Sequence, residues 1–208
     1  MTENKKAVIY MMLASLIFSS MNLIVKQLDD IPVAQIVFMR SIVMLIMVAA
    51  IVKKQKIKPF GSHKKLLIFR GLFGSLGIAF FFYTLHIMPL ASAVVVHYLT
   101  PLITVLISVL ITKVPIAPLR WLFFLLCLVG IYIIKDFDDR VEVVPLVVGV
   151  LGTIAASAAY NVISVLKKSE HHFVIMLYFP MVTVPLVLLY IFISGDWIWT
   201  TPLNWLLL

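Results

Sequence analysis

Seven runs of about 20 mainly apolar residues dominate this chain: 7–27, 33–52, 66–88, 91–112, 117–134, 144–166 and 173–194. An α-helix rises about 1.5 Å per residue, so a run of this length matches the ~30 Å hydrocarbon core of a bilayer. An eighth run begins at Trp205 and reaches Leu208. Barrel strands need about ten residues with strict alternation, and these runs are too long and too uniformly apolar for that. The expected fold class is an all-α polytopic membrane protein, a bundle of transmembrane helices. Pro32, Pro59, Pro89, Pro115, Pro118, Pro145 and Pro202 sit at or near span ends, where they punctuate helices. Composition agrees. The 208 residues are 63% hydrophobic and 12% charged, and a soluble domain carries about twice that charge. Disorder and a secreted globular enzyme are excluded on this balance. A disulfide scaffold is excluded by the single cysteine, Cys127, inside an apolar run.

The charges sort by loop. With the N-terminus inside, 12 of the 17 Lys and Arg residues fall on the cytoplasmic side, including the cluster Lys53, Lys54, Lys56, Lys58, Lys64 and Lys65. Two, Lys135 and Arg140, fall outside, while seven of the nine acids do so. This asymmetry places the N-terminus in the cytoplasm. It also accounts for the net charge of +8 without a nucleic-acid partner. Lys5-Lys6 before an apolar run looks like a signal peptide. The run is span-length, lacks a small-residue cleavage site and ends in Lys26-Gln27, so it reads as a retained span.

The first and sixth spans share a pattern. Ala14 to Asn22 can be laid on Thr153 to Asn161, which pairs Asn22 with Asn161. Five spans separate the copies, so the second runs in the opposite direction, the inverted-repeat design of many transporters. Two five-span repeats need ten spans. Residues 1–140 then form the first five-helix repeat, and residues 141–208 hold an incomplete second one: spans six, seven and the start of eight. The chain is expected to be a truncated frame or fragment, or else a seven-span protein completed as a homodimer.

Ionisable residues inside a span are costly and are functional candidates by default. Lys26 is one turn from Asp29 and Asp30 and reads as an interfacial pair; Arg70 is close to Lys65 and reads as a snorkelling side chain. Arg40 is different. It enters the second span about 10 Å from the outer end and is twelve residues short of Lys53, so it is expected to face an aqueous cavity or a polar partner. Asn22, Tyr83 and His97 fall at a similar depth on three other spans. Together the four suggest one outer-half layer of donors around a fixed positive charge, suited to a carboxylate or other polar solute. Pro101 cannot bond the carbonyl of His97, so the fourth span is expected to kink there and leave that carbonyl beside the imidazole. Pro180 and Pro185 are expected to act likewise in span seven. Gly71, Gly74 and Gly77, and Gly149, Gly152, Ala156 and Ala159, read as packing stripes that let backbones approach closely.

Signals for catalysis are weak. No H-E-x-x-H occurs; Gly74-Ser75-Leu76-Gly77 has its serine in the wrong place for a nucleophile elbow; and every Asp falls in a loop. His171-His172 lacks a set of partner ligands, so no metal and no cofactor are expected.

Further residues carry a resemblance. Arg70-Gly71-Leu72-Phe73-Gly74 through Phe81-Phe82-Tyr83, then Pro89-Leu90-Ala91-Ser92-Ala93, then Tyr98-Leu99-Thr100-Pro101-Leu102, is similar to the EamA family of the drug/metabolite transporter superfamily. Phe18-Ser19-Ser20 to Lys26, Met39-Arg40-Ser41 and Gly130-Ile131-Tyr132-Ile133 resemble that family's first, second and fifth spans. The likeness covers nearly all of 7–135 and extends more loosely over 144–194. It implies ten spans in two inverted repeats, a central cavity, alternating access, and a small-metabolite substrate such as an amino-acid-like, nucleotide-like or aromatic solute. The chain departs from the family at Thr112-Lys113-Val114-Pro115, where a Glu is common. The expected function is transport of small metabolites across the inner membrane, with Asn22, Arg40, Tyr83, His97, Tyr98, Pro101 and Asn161 as candidate substrate-binding residues. The competing readings are a non-transporting membrane scaffold, an intramembrane enzyme or an inactive fragment.

Overall fold

The computed structural model describes residues 3–28, 31–112, 121–122, 125–126, 129–130, 133, 142–195 and 197. It is helical: α1 (Glu3–Gln27), α2 (Val33–Lys54), α3 (Lys64–Ile87), α4 (Leu90–His97), α5 (Thr100–Thr112), α6 (Val143–Leu166) and α7 (His172–Ser194). With α4 and α5 joined as Leu90–Ile111, six stretches of the described residues are long and apolar enough to cross a membrane. They match six of the seven expected spans to within four residues at each end. The expected fifth span, 117–134, with Cys127 and most of the Gly130–Ile133 motif, lies largely outside the described residues, as do Asp29, Asp30 and the run from Trp205.

α3 is the central helix. It packs most extensively on α6, then on α7, and also touches α1, α2 and α4. Glycines make this possible, because lipid supplies no hydrophobic drive between helices and close backbone approach must stand in for it. A Cβ on Gly77 would lie 3.0 Å from the backbone nitrogen of Ala156, and one on Gly152 would lie 2.9 Å from the Cβ of Phe80. On another side of α3, a Cβ on Gly71 would lie 2.7 Å from Val182 of α7. The two small-residue stripes thus seat α3 between two neighbours at once.

Buried apolar side chains collect at the two ends of the bundle. At one end Val25, Leu28, Ile36, Phe82, Leu85 and Val96 pack together. At the other, Leu67, Leu166, Val174, Ile175 and Tyr178 form a second cluster. Between them the helices bring together polar and small residues. Ser75 and Thr183 hydroxyls stand 2.6 Å apart across the α3–α7 contact, and each also reaches the carbonyl four residues back on its own helix.

The fourth span breaks where Pro101 predicts, with Tyr98 and Leu99 between α4 and α5. Pro101 lies in the first turn of α5, where its missing N–H costs nothing. The carbonyl of His97 is not left free, because the Thr100 hydroxyl donates to it at 2.6 Å. α6 holds the helix that follows the break. Ser157 donates to the carbonyl of Thr100 at 2.9 Å, and the Asn161 amide donates to the carbonyl of Thr104 at 3.0 Å. Such satisfaction is what hydrocarbon demands of irregular backbone. α7 behaves otherwise and runs as one helix through Pro180 and Pro185, ending at Gly195 with φ +72°.

At the lysine-rich end, the α2–α3 loop is fastened to the α6–α7 loop. Glu170 accepts from the backbone N–H of His63 at 2.7 Å and lies 3.2 Å from its Nδ1. The His63 backbone N–H is the chief reason the Glu170 carboxyl is held below its ordinary value; the His63 ring and the Ser62 N–H act in the same direction, and burial opposes them.

Two expectations follow. Gly152→Val should destabilise the protein by about 1–3 kcal/mol, lowering its thermal midpoint in detergent, while Ser164→Ala on the same helix leaves the midpoint unchanged. Glu170→Gln should lower that midpoint at neutral pH. A depressed carboxylate stabilises the fold above its unfolded pKa, about 4.3, and that contribution is lost as pH falls through the folded value. Melting curves of the two proteins should therefore converge on acidification below pH ~4.

Candidate functional site

Two cavities flank α1. The helix presents Leu16, Ile17, Ser20 and Met21 to one side and Ser15, Phe18, Ser19 and Asn22 to the other. The first cavity, about 480 Å³, is closed by Arg40 of α2 and Phe82 of α3. The second, about 580 Å³, is closed by Phe81 of α3 and by His97 and Tyr98. Neighbouring phenylalanines of α3 therefore line different cavities, with ring centroids 5.6 Å apart.

The candidate residues divide between these spaces. Arg40 lies in the first, its guanidinium carbon 5.3 Å from the centre of the Phe82 ring. Its Nη1 is buried with no hydrogen-bond partner among the described residues. Asn22 and His97 meet in the second. Asn22 is 4% exposed, and its Oδ1 is buried without a partner among the described residues. The His97 ring lies 4.3 Å from that of Phe81. Tyr98 is exposed at the rim of this cavity. Tyr83 is half-buried on α3 and lines neither cavity; Pro101 is exposed on α5 and lines neither. Asn161 is buried, with its amide on the carbonyls of Thr104 and Ser157. The expected single layer of Asn22, Arg40, Tyr83 and His97 is thus two compartments with α1 and the two phenylalanines between them. Depth along a span can be counted from sequence, but the direction a side chain points depends on helix rotation.

Lys26 has a partner that the sequence does not suggest. Its Nζ donates to the carbonyl of His86 at 2.7 Å, which ties the end of α1 to α3. Asp29 and Asp30, the partners suggested by sequence, lie outside the described residues.

The structure gives Arg70 a different setting from the snorkelling position expected of it. Arg70 does not reach back toward the lysine-rich end. Its Nη1 sits where a Cβ on Gly74 would be 2.7 Å away, so the side chain runs forward, deeper into the span. The guanidinium lies 4.8 Å from the Phe179 ring centre, and its Nε and Nη1 are buried with no partner among the described residues. The glycine four residues after Arg70 was the available signal, since it removes the side chain that would block this path.

Buried cations with open donors recognise anions or other acceptors. Among the described residues no group of three or more His, Cys, Asp or Glu side chains could hold a metal ion.

Residues 5–135 match the EamA-like transporter family. The chain is 30% identical over 190 residues to the pseudopaline exporter CntI of Pseudomonas aeruginosa, covering 88% of this chain and 66% of that protein. It is 32% identical over 163 residues to an uncharacterized transporter of Helicobacter pylori, covering 76% of this chain and 54% of that one. A likeness at 24% identity over 147 residues extends to an uncharacterized membrane protein of Saccharomyces cerevisiae, covering 60% of this chain and 36% of that one. The chain thus spans less than two thirds of the length of these relatives. No solved structure matches it. With that match running through the first four spans, the Arg70–Tyr83 stretch and the broken helix at Pro101, the chain belongs to the EamA-like transporter family.

Proposed function

We propose that the protein moves small metabolites, amino-acid-like or other small polar or aromatic solutes, across the inner membrane by alternating access. The observation that carries this reading is Arg40. Its Nη1 is buried and unpartnered beside a cavity of about 480 Å³, a volume within the usual range for small-molecule sites. Arg40 holds the anionic part of the solute, and Phe82 supplies an aromatic face beside it. Asn22, His97 and Tyr98 serve the same solute from the second cavity, with Tyr83, Pro101 and Asn161 shaping the path between access states. The N-terminus lies in the cytoplasm, on the charge asymmetry of the loops. Residues 1–140 and 141–208 belong to two inverted repeats. The direct packing of α2 on α7, second members of their repeats, supports that arrangement. The relative named as an exporter favours outward movement.

The test is solute flux in proteoliposomes carrying the complete product of the gene. Arg40→Ala should lower kcat/KM at least tenfold for each accepted anionic solute, because a hydrogen bond to a charged group contributes about 1.5–3 kcal/mol. Arg40→Lys should recover part of the loss. Unchanged flux in Arg40→Ala at equal protein abundance rejects the role of Arg40, and absence of flux in the parent protein rejects transport.

A further inference from the structure

The described helices hold two arginines within the membrane and no acid to balance them. Beyond Glu3, the first residue of α1, none of these helices contains Asp or Glu. Arg40 is seven residues into α2, and Arg70 is six residues into α3. The two helices enter from opposite ends, so each arginine lies about 9–10 Å in from its own end. They therefore stand on opposite sides of the middle of the bilayer. A guanidinium at that depth has two ordinary ways out: it can snorkel, or it can pair. Arg70 does neither within the described residues. Its side chain runs away from the near interface toward Gly74, and its Nε and Nη1 find no acceptor. Phe179 of α7 shields one face of the guanidinium.

We propose that Arg70, with Phe179 beside it, is a second anion-binding station, and that the transported solute carries two anionic groups, one for each arginine. This rests on the reading of Arg40 as the first anchor. The physical reason is charge balance. A monoanion at Arg40 leaves Arg70 as an open cation in a low-dielectric medium, whereas a solute with two carboxylates satisfies both. Gly74 is then a specificity device, since the missing Cβ is the space in which the Arg70 guanidinium lies.

The experiment compares straight-chain dicarboxylates from succinate to sebacate with their half-methyl esters. Equilibrium binding is measured to the complete gene product in phosphatidylcholine vesicles. In the parent protein at least one diacid should bind about tenfold or more tightly than its half ester, a factor of ten being 1.4 kcal/mol. Arg70→Gln should erase that advantage and leave half-ester binding unchanged. Gly74→Ala displaces the guanidinium while keeping its charge, and should do the same, so that the result does not hang on one variant's folding. Arg40→Ala should weaken diacid and half ester alike. If half esters bind as well as diacids in the parent protein, or no member of the series binds, or both Arg70-directed variants weaken the two ligands equally, the second station is wrong. If the Arg70-dependent tightening follows added phosphatidylglycerol instead of the second carboxylate, lipid headgroups occupy Arg70 and the proposal is again overturned. Binding that is unchanged in Arg40→Ala but sensitive to Arg70 defeats the earlier reading of Arg40 instead.

Discussion

The close approach of α3 to α6 is the contact from which the rest of the bundle takes its positions. It exists because Gly77 and Gly152 leave no side chain between the backbones. In a bilayer, apolar side chains gain little by leaving lipid for one another, so packing and polar satisfaction decide which helices associate. Once α3 is seated on α6, Phe81 and Phe82 are turned to the two sides of α1, and Gly71 brings α7 against the opposite flank. Ser157 and Asn161 then reach the carbonyls of Thr100 and Thr104 in the second half of the broken fourth span.

That broken span shows how irregular backbone is tolerated at membrane depth. The break frees the carbonyl of His97, which faces a proline with no N–H, and the Thr100 hydroxyl satisfies it locally. Side chains of α6 hold the helix that follows by reaching the carbonyls of Thr100 and Thr104. The break and its partner helix are therefore one unit. His97, the last residue of α4, lies at the break and faces the cavity shared with Asn22. A loose, water-exposed kink is not needed to place an imidazole there.

The bundle is apolar at its two ends and polar in between. The end clusters close around Phe82 and Val96 on one side and Leu67 and Leu166 on the other. Arg40, Arg70 and the Ser75–Thr183 pair fall between them. The Glu170–His63 contact holds two loops together at the lysine-rich end. A transporter of the alternating-access kind needs such an arrangement, with a polar interior and ends whose contacts differ between states.

Sequence alone determined the helical spans, their lengths, the break at Pro101 and the packing role of the small-residue stripes. These follow from bilayer thickness, from the missing N–H of proline and from the absence of a Cβ, and none depends on neighbours. Much of the candidate site was legible too, since Arg40 stands out by depth and charge, and Asn22 and His97 do share a cavity. What sequence could not supply was rotation. Counting residues placed Asn22, Arg40, Tyr83 and His97 at one level, but the direction of each side chain is set by the helix it packs against, and the four do not converge. Arg70 read as a snorkelling residue until Gly74 was seen to admit its guanidinium inward. Lys26 reaches a carbonyl of α3, a contact that no count along the sequence shows. Only the tertiary structure decided these, because the choice between water, lipid and a neighbouring helix is made by what stands within a few ångströms.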